Sequence, residues 1–451
     1  MPAPVSTFHI TNFGCRATLA DAAAIEYALR SRGLARAEDA RRAELVVINT
    51  CTVTSDADAT ARQAIRRAHR ENPSAHIVVT GCYAQRAPEE LAQMEGVTLV
   101  VGNSHLTEIA GLIEYPASRA FLPVQVLAQG HANSPAHTPA RIVSGDIFEA
   151  KTLAWDPVGG AAGDLTRPVL KIQDGCNSRC AYCVIPFVRG RSRSLSPDAV
   201  LLEIRRLVAT GAKEIVLSGI NLGGYGRDLH PRAALGGLLR RVLDETSLDR
   251  LRLSSIEPMD VTDDLVRLFA DSGGRLAPHF HVPLQSGSDR ILAAMHRWYR
   301  AAHYGRRIEL IRELLPGAGI GADVIAGFPG ETENDHAATT QLIEALPFTY
   351  LHVFSYSTRP GTEAARLIAE DRVVPVSPRM IKQRTGELRA LGAEKSAAFR
   401  AAQSGIPQRV LTLRRRHSDA SGLWTEALSG NFLTLRLPGH LEPNEWKTAA
   451  L

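Results

Sequence analysis

Across 451 residues no apolar run approaches the ~18–20 residues that a helix needs to cross a bilayer, which excludes a helical membrane protein, and no membrane partner is expected. The first residues, MPAPVSTFHITNFG, have no basic segment followed by an apolar one. No secretory signal is therefore expected, and the expected location is cytoplasmic. Charge of one sign is not in excess: 52 Lys+Arg stand against 47 Asp+Glu, a net +5 that permits a polyanionic partner without requiring one. With 45% hydrophobic and 22% charged residues, the chain is no disordered segment, coiled coil or fibre. Its length suggests two to four domains, each large enough to bury its own core. Cysteine is scarce as well, with six in all, at 15, 51, 82, 176, 180 and 183. In a large chain of a reducing compartment, metal binding or redox chemistry explains them better than disulfides.

The first three cysteines share a pattern. STFHITNF reads as a strand ending at Gly14-Cys15, ELVVINT as a buried parallel strand ending at Cys51, and AHIVVTG as a third ending at Cys82. Helical stretches separate them, and VTLVVG adds a fourth strand. Strands alternating with helices at these intervals predict an α/β fold with a doubly wound parallel sheet, here assigned to residues 1–124. Parallel strands end at one edge, where open α/β sheets bind ligands, so the three cysteines are expected to meet there. Three unrelated core cysteines are the plainer alternative, but three strands each ending in Cys make coincidence a poor explanation. Three thiolates suit zinc with one open position, or an iron–sulfur cluster with one iron not held by protein.

Residues 125–162, rich in Pro, Ala, His and Gly, read as a linker. Then RPVLKIQDGCNSRCAYCVIPFVRG opens a second unit, assigned to 163–396. The strand VLKI leads into Cys176, Cys180 and Cys183, spaced CxxxCxxC. EIVLSG, RLRLSS, HFHVPL, GADVIAGF and YLHVFSY follow as further strands. Six such repeats predict an incomplete TIM-like (β/α)6 barrel with its functional loops at the carboxyl ends of the strands. A structural zinc site closes with four ligands, usually in two pairs, and no second pair follows. Three cysteines on one loop suit a cubane cluster whose fourth iron is open to a small molecule.

This loop resembles that of the radical S-adenosylmethionine (SAM) superfamily, in which the open iron binds SAM. By that resemblance Tyr182 lies near the adenine. Ser218 and Gly219, the SSIE segment ending at Glu257, and GADVIAGFPGETE with Gly327 are candidate SAM contacts at other strand ends. Gly330-Glu331-Thr332 also reads simply as a turn into a helix with Thr332 as N-cap. His279 and His281 share one strand face and are read as polar barrel lining rather than as a metal pair.

The whole chain resembles the methylthiotransferase family of radical SAM enzymes. FGCRAT, VVINTCTVT and TGCYAQ carry the resemblance in the first domain. CNSRCAYCVIP, RGRSRS, GINLGGYG, LRLSSIEP, HVPLQSGSDRIL, GADVIAGFPGETE and FSYSTRPGT carry it in the barrel. It implies that Cys176, Cys180 and Cys183 hold the SAM-binding [4Fe-4S] cluster and that Cys15, Cys51 and Cys82 hold an auxiliary [4Fe-4S] cluster. CTVT and SSIEP look most like the MtaB-type branch. That branch converts N6-threonylcarbamoyladenosine at position 37 of tRNA to its 2-methylthio form. The reaction the family implies begins with reductive cleavage of SAM to a 5′-deoxyadenosyl radical, which takes hydrogen from adenine C2. It also implies an electron donor such as flavodoxin or ferredoxin. Beyond the cluster ligands no catalytic residue is implied. Isopentenyladenosine and a ribosomal protein side chain are the alternative substrates. A non-catalytic RNA-binding protein with structural metal is the alternative of a different class.

The last segment, 397–451, holds short alternating strands, RVLTLRRRH, GLWTEALSG and FLTLRLPGH, which predict a small β-barrel. By resemblance it is a TRAM-like RNA-binding domain, with Arg414, Arg415, Arg416 and His417 as its densest basic cluster. A tRNA anticodon loop, single-stranded and anionic, would suit such a surface.

Overall fold

The structure is a computed structural model that describes residues 5–113, 139–153, 166–419 and 422–451. Most of the stretch read as a linker lies outside the described residues. The chain divides into two compact units: residues 1–161 with 185–191, and residues 162–184 with 192–451. None of its described helices is long and apolar enough to cross a membrane.

In the first unit six parallel strands form one sheet in the order β2-β1-β3-β4-β5-β6. They are β1 (Thr7–Asn12), β2 (Ala35–Arg36), β3 (Leu45–Thr50), β4 (His76–Gly81), β5 (Val97–Gly102) and β6 (Arg141–Val143). Every residue of β3 is buried, as a central strand covered on both faces requires. One face packs Val46, Ile48, Ile77 and Val79 on Ala61 and Ile65 of the helix Ser55–Glu71. The other packs Phe8, Leu45, Val47 and Val78 on Ile25 and Leu29 of the helix Arg16–Ser31. The sheet is therefore doubly wound. Thr54 caps the helix Ser55–Glu71 by accepting from Ala57 N at 3.1 Å, with Asp56 and Asp58 in its first turn. β6 lies inside the stretch read as linker and extends the sheet beyond β5.

The second unit begins with β7 (Val169–Asp174), paired antiparallel with the short β8 (Arg193–Ser194). β9 (Glu214–Gly219) and β10 (Arg250–Leu253) continue in parallel from β7. β11 (His279–His281), β12 (Gly319–Ala326) and β13 (Tyr350–Ser355) form a second parallel run. Bridges from Leu251 to Leu276 and from Ser255 to His281 join the two runs, giving six parallel strands in an open barrel. Helices between the strands start with side-chain caps at Ser196, Thr262, Ser288 and Thr332. Thr332 forms a capping box with Asp335.

After the 25-residue helix Pro378–Ala402, four antiparallel strands close the chain in the order β16-β15-β14-β17. They are β14 (Gln408–Asp419), β15 (Gly422–Ser429), β16 (Thr434–Pro438) and β17 (Trp446–Ala449). This sheet docks on the amino ends of the barrel strands. Arg252 donates to Gly430 O and Ser429 O, both at 2.9 Å, and Arg250 donates to Arg409 O at 2.8 Å. Asn431 donates to Gly317 O at 3.0 Å, and Trp446 Nε1 to Asp249 at 2.8 Å. Phe432 stacks on His279 with ring centroids 4.4 Å apart and lies under the Arg252 guanidinium. A barrel of six strands needs a floor, and this sheet supplies it.

Candidate functional site

In the first sheet, Cys15 follows β1 immediately before the helix Arg16–Ser31, and Cys51 follows β3. Cys82 opens the short helix Cys82–Arg86 directly after β4. β1, β3 and β4 are neighbours in parallel register, so all three cysteines stand at one edge. Two glycines allow the strand ends to approach. Gly14 has φ +116°, and a Cβ on it would lie 2.7 Å from Cys51 Cβ and 3.2 Å from its Sγ. Gly81 has φ +96°, and its Cβ would lie 2.4 Å from Thr50 O. Neither position has room for a side chain.

Burial pushes the Cys51 thiol up to about 12, and the neighbouring Cys82 adds to the rise. The Cys82 thiol is raised too, chiefly by burial, with Arg189 opposing. Two N–H groups converge on Cys82: Arg189 Nε at 3.2 Å and Asn103 Nδ2 at 3.6 Å from Sγ. A neutral thiol is a weak acceptor, so this setting is matched to a thiolate. Burial opposes a free thiolate, and a bound metal ion removes that obstacle by neutralising it. Three soft sulfur donors fit iron–sulfur or zinc and do not suit hard cations.

In the second unit, Cys176, Cys180 and Cys183 occupy the loop after β7. Gly175, with φ +71°, turns the chain out of the strand, and its N–H is held by Asp174 at 2.8 Å. Lys171 Nζ donates to the same carboxylate at 2.8 Å. Ser178 N–H approaches Cys176 Sγ at 3.4 Å, and Arg297 Nη1 approaches Cys180 Sγ at 3.3 Å. Burial raises the Cys180 thiol, and Arg297 works against it. Here again cationic and amide donors face sulfur, as thiolate ligands require.

The candidate SAM contacts all lie at or beyond the carboxyl ends of their strands, although their surroundings differ. Tyr182 packs with Ala181, Met295, Phe328 and Ala364. Ser218 is buried at the end of β9. Gly219 leaves room for Gln173, whose Oε1 would lie 2.9 Å from a Cβ there. Glu257 forms an ion pair with Arg297. Burial raises its carboxyl and Arg297 opposes the rise. Gly327 has φ +80°, gives its N–H to Glu331 and leaves no space before Ile381 Cγ1, 2.4 Å from a Cβ. Neither glycine therefore has room for a Cβ.

Deeper in the barrel, His279 and His281 both bond the Tyr350 hydroxyl, at 2.8 and 3.0 Å. His281 also bonds Asp323 at 2.9 Å, and His352 meets the same carboxylate at 3.3 Å. Burial would raise the Asp323 carboxyl, but these hydrogen bonds hold it well below the usual range. The two histidines are thus part of one hydrogen-bonded column with Tyr350, Asp323 and His352, in which the ligand atoms of His281, Asp323 and His352 lie within 4.8 Å of one another.

Arg189, Arg297 and Asn103 are functional candidates that the sequence did not single out. The first begins the quoted motif RGRSRS, and only the fold shows which sulfur it serves. The C-terminal basic cluster sits on the sheet at the amino ends of the barrel strands, away from the cysteine loop at their carboxyl ends. Part of its charge is paired: Arg416 bonds Glu442 at 3.1 Å, and His417 lies 3.2 Å from Glu426 and stacks on Trp424.

Comparison with known proteins bears on both units. The family model described as "Uncharacterized protein family UPF0004" matches residues 7–102, and that of the radical SAM superfamily matches 170–343. The chain is 38% identical to the threonylcarbamoyladenosine tRNA methylthiotransferase MtaB of Bacillus subtilis, over 82% of this chain and 77% of that protein. It is 34% identical to MtaB of Aquifex aeolicus, over 95% of this chain and 96% of that one. It is also 36% identical to the tRNA-2-methylthio-N(6)-dimethylallyladenosine synthase of Syntrophobacter fumaroxidans, over 91% of this chain and 85% of that one. Among solved structures, the radical SAM methyltransferase TsrM of Kitasatospora setae, with cobalamin and a [4Fe-4S] cluster bound, shares the fold. The TM-score is 0.57 at 18% identity, over 81% of this chain and 78% of that one.

Proposed function

The chain belongs to the radical SAM tRNA methylthiotransferase family, and from that membership we propose that it methylthiolates C2 of N6-threonylcarbamoyladenosine at position 37 of tRNA. Family membership brings SAM and [4Fe-4S] clusters as cofactors and tRNA as substrate. The observation that carries the choice of nucleoside is the match to MtaB of Aquifex aeolicus, which spans 95% of this chain. Dimethylallyladenosine is the second reading, favoured by the match to the Syntrophobacter enzyme. Cys176, Cys180 and Cys183 would hold the cluster that binds SAM, and Cys15, Cys51 and Cys82 the auxiliary cluster. When bound, these groups supply the one-electron chemistry that replaces an unactivated aromatic C–H bond by C–S.

The chain's own residues bind and orient. Arg297 ties Cys180 to Glu257 and so fixes the cysteine loop against the end of β10. Tyr182 and its apolar neighbours keep water from one side of that loop. A cytoplasmic location and a flavodoxin- or ferredoxin-type electron donor complete the proposal.

Contact with the anticodon loop is supported by the rim of the barrel rather than by the C-terminal sheet. Trp298 is 83% exposed, an unusual state for so large an apolar side chain. Its flanks are fixed to the cysteine loop, because His296 bonds Arg179 O at 3.1 Å and Arg297 reaches Cys180. Arg300, two residues on, is exposed, and so is Arg179, whose carbonyl meets the neighbouring His296. An exposed aromatic among cations is what unstacked RNA bases use as a platform, worth ~1–3 kcal/mol per base. Trp298→Ala is expected to raise KM for tRNA about tenfold while kcat changes little. Unchanged KM in steady-state assays would remove Trp298 from the RNA surface.

Nucleoside mass spectrometry of tRNA from cells with and without the gene tests the whole proposal. Without it, 2-methylthio-N6-threonylcarbamoyladenosine should vanish and its precursor accumulate. An unchanged pair, with loss of the methylthio form of isopentenyladenosine instead, would move the assignment to the second reading.

A further inference from the structure

We infer that Arg189 is a positioning residue for the auxiliary cluster, supporting the Cys82 thiolate and setting the cluster's reduction potential. The inference rests on the reading that Cys15, Cys51 and Cys82 hold that cluster. Arg189 lies in the helix Ile185–Arg189, which packs within the first unit. The residue is 2% exposed, and Asp21, whose carboxylate it meets at 2.7 Å, is 1% exposed. Burying an ion pair this completely recovers its desolvation cost only when the remaining donors are also used. Here the guanidinium turns a further donor, Nε–H, to Cys82 Sγ at 3.2 Å. The fork geometry of arginine serves both partners at once, which a lysine does not reproduce.

Other contacts hold this arrangement in place. Asn103 Nδ2 bonds Val188 O at 2.9 Å while facing the same sulfur, so it locks the backbone next to Arg189 against Cys82. Asp21 comes from the helix that directly follows Cys15. Through its two contacts Arg189 therefore links the helix that follows Cys15 to the helix that Cys82 opens. Arg189 also follows Cys183 by six residues, so one short segment carries a ligand of the first cluster and the partner of a ligand of the second.

Hydrogen bonds and positive charge at a ligating sulfur favour the reduced, more negative state of a cluster. Losing Arg189 should lower the potential. Losing the Asp21 counter-charge should raise it. The test uses the full chain with Cys176, Cys180 and Cys183 replaced by alanine, so that only the auxiliary cluster contributes to the spectrum. Potentiometric titration followed by electron paramagnetic resonance is then compared for this parent and for Arg189→Met, Arg189→Lys and Asp21→Asn made in it.

Arg189→Met should change the oxidised-to-reduced ratio at fixed potential about tenfold towards oxidised, a fall of about 59 mV for a one-electron couple. Arg189→Lys should fall between it and the parent. Asp21→Asn should move in the opposite direction. If the variants keep their iron and the potentials coincide, Arg189 does not set the potential and the inference fails. Lower thermal stability with unchanged potentials in Arg189→Lys and Asp21→Asn would mean a purely structural ion pair. If the parent itself binds no iron, the reading of Cys15, Cys51 and Cys82 has failed instead, and the inference goes with it.

Discussion

Replacing Cys176, Cys180 and Cys183 together by alanine is expected to abolish product formation by at least ~1,000-fold, because no acid–base route replaces an unactivated aromatic C–H bond. Iron in the reconstituted protein should drop from about eight atoms per chain to about four. Formation of 5′-deoxyadenosine from SAM should stop as well. Replacing Cys15, Cys51 and Cys82 should remove the same amount of iron and all methylthio product, yet leave SAM cleavage in place. The contrast follows from the two donor sets, which lie on separate sheets and have separate cationic partners, Arg297 at Cys180 and Arg189 at Cys82. If both triple variants lose SAM cleavage equally, the division of roles between the two sets is wrong.

The second large effect is structural and lies at the barrel floor. Glu214, the first residue of β9, is fully buried among three arginines. Arg252 Nε meets it at 2.8 Å, Arg167 at 3.2 Å and Arg250 at 3.3 Å. Burial would raise this carboxyl, but Arg252 and then Arg167 outweigh it and hold it at about 2, below the ordinary 4.5. Glu214→Gln leaves the buried guanidiniums of Arg250 and Arg252, and the half-buried one of Arg167, without this counter-charge and should destabilise the unit by about 3–5 kcal/mol. The C-terminal sheet should loosen with it, because Arg252 and Arg250 also donate to Ser429, Gly430 and Arg409.

The pH dependence has a definite sign. A carboxyl with a depressed folded value contributes its full stability above 4.5, and that contribution is lost as the pH falls towards about 2. Thermal melts of wild type should therefore lose stability through this range, and Glu214→Gln should lose less. Equal melting temperatures for the two proteins at neutral pH would contradict the network's importance.

Much of the fold is legible in the residues. ELVVINT, AHIVVTG and VTLVVG are apolar because central parallel strands are covered on both faces, and they become β3, β4 and β5. The cysteines after β1, β3 and β4 stand together because neighbouring parallel strands share an edge. β6 was hidden in a stretch of linker composition, since three residues at a sheet edge leave too little pattern. Arg189 and Arg297 look like ordinary cations in sequence. Their roles come from contacts 107 and 117 residues away, which no local periodicity records.

Gly219 and Gly327 carry a further constraint that only the fold shows: Gln173 and Ile381 leave no room for a Cβ at either position. The placement of the C-terminal sheet is also a long-range property. It closes the amino end of the barrel through Arg250 and Arg252, while the cysteine loop lies at the carboxyl end.

The most direct measurement follows one atom. Reconstituted protein is given SAM, a sulfur source, a one-electron reductant and a tRNA anticodon stem-loop whose N6-threonylcarbamoyladenosine carries deuterium at C2. Mass spectrometry should find that deuterium in 5′-deoxyadenosine and a methylthio group in its place on the adenine. Cleavage of SAM with the deuterium still on C2 and no methylthio product would contradict the assignment.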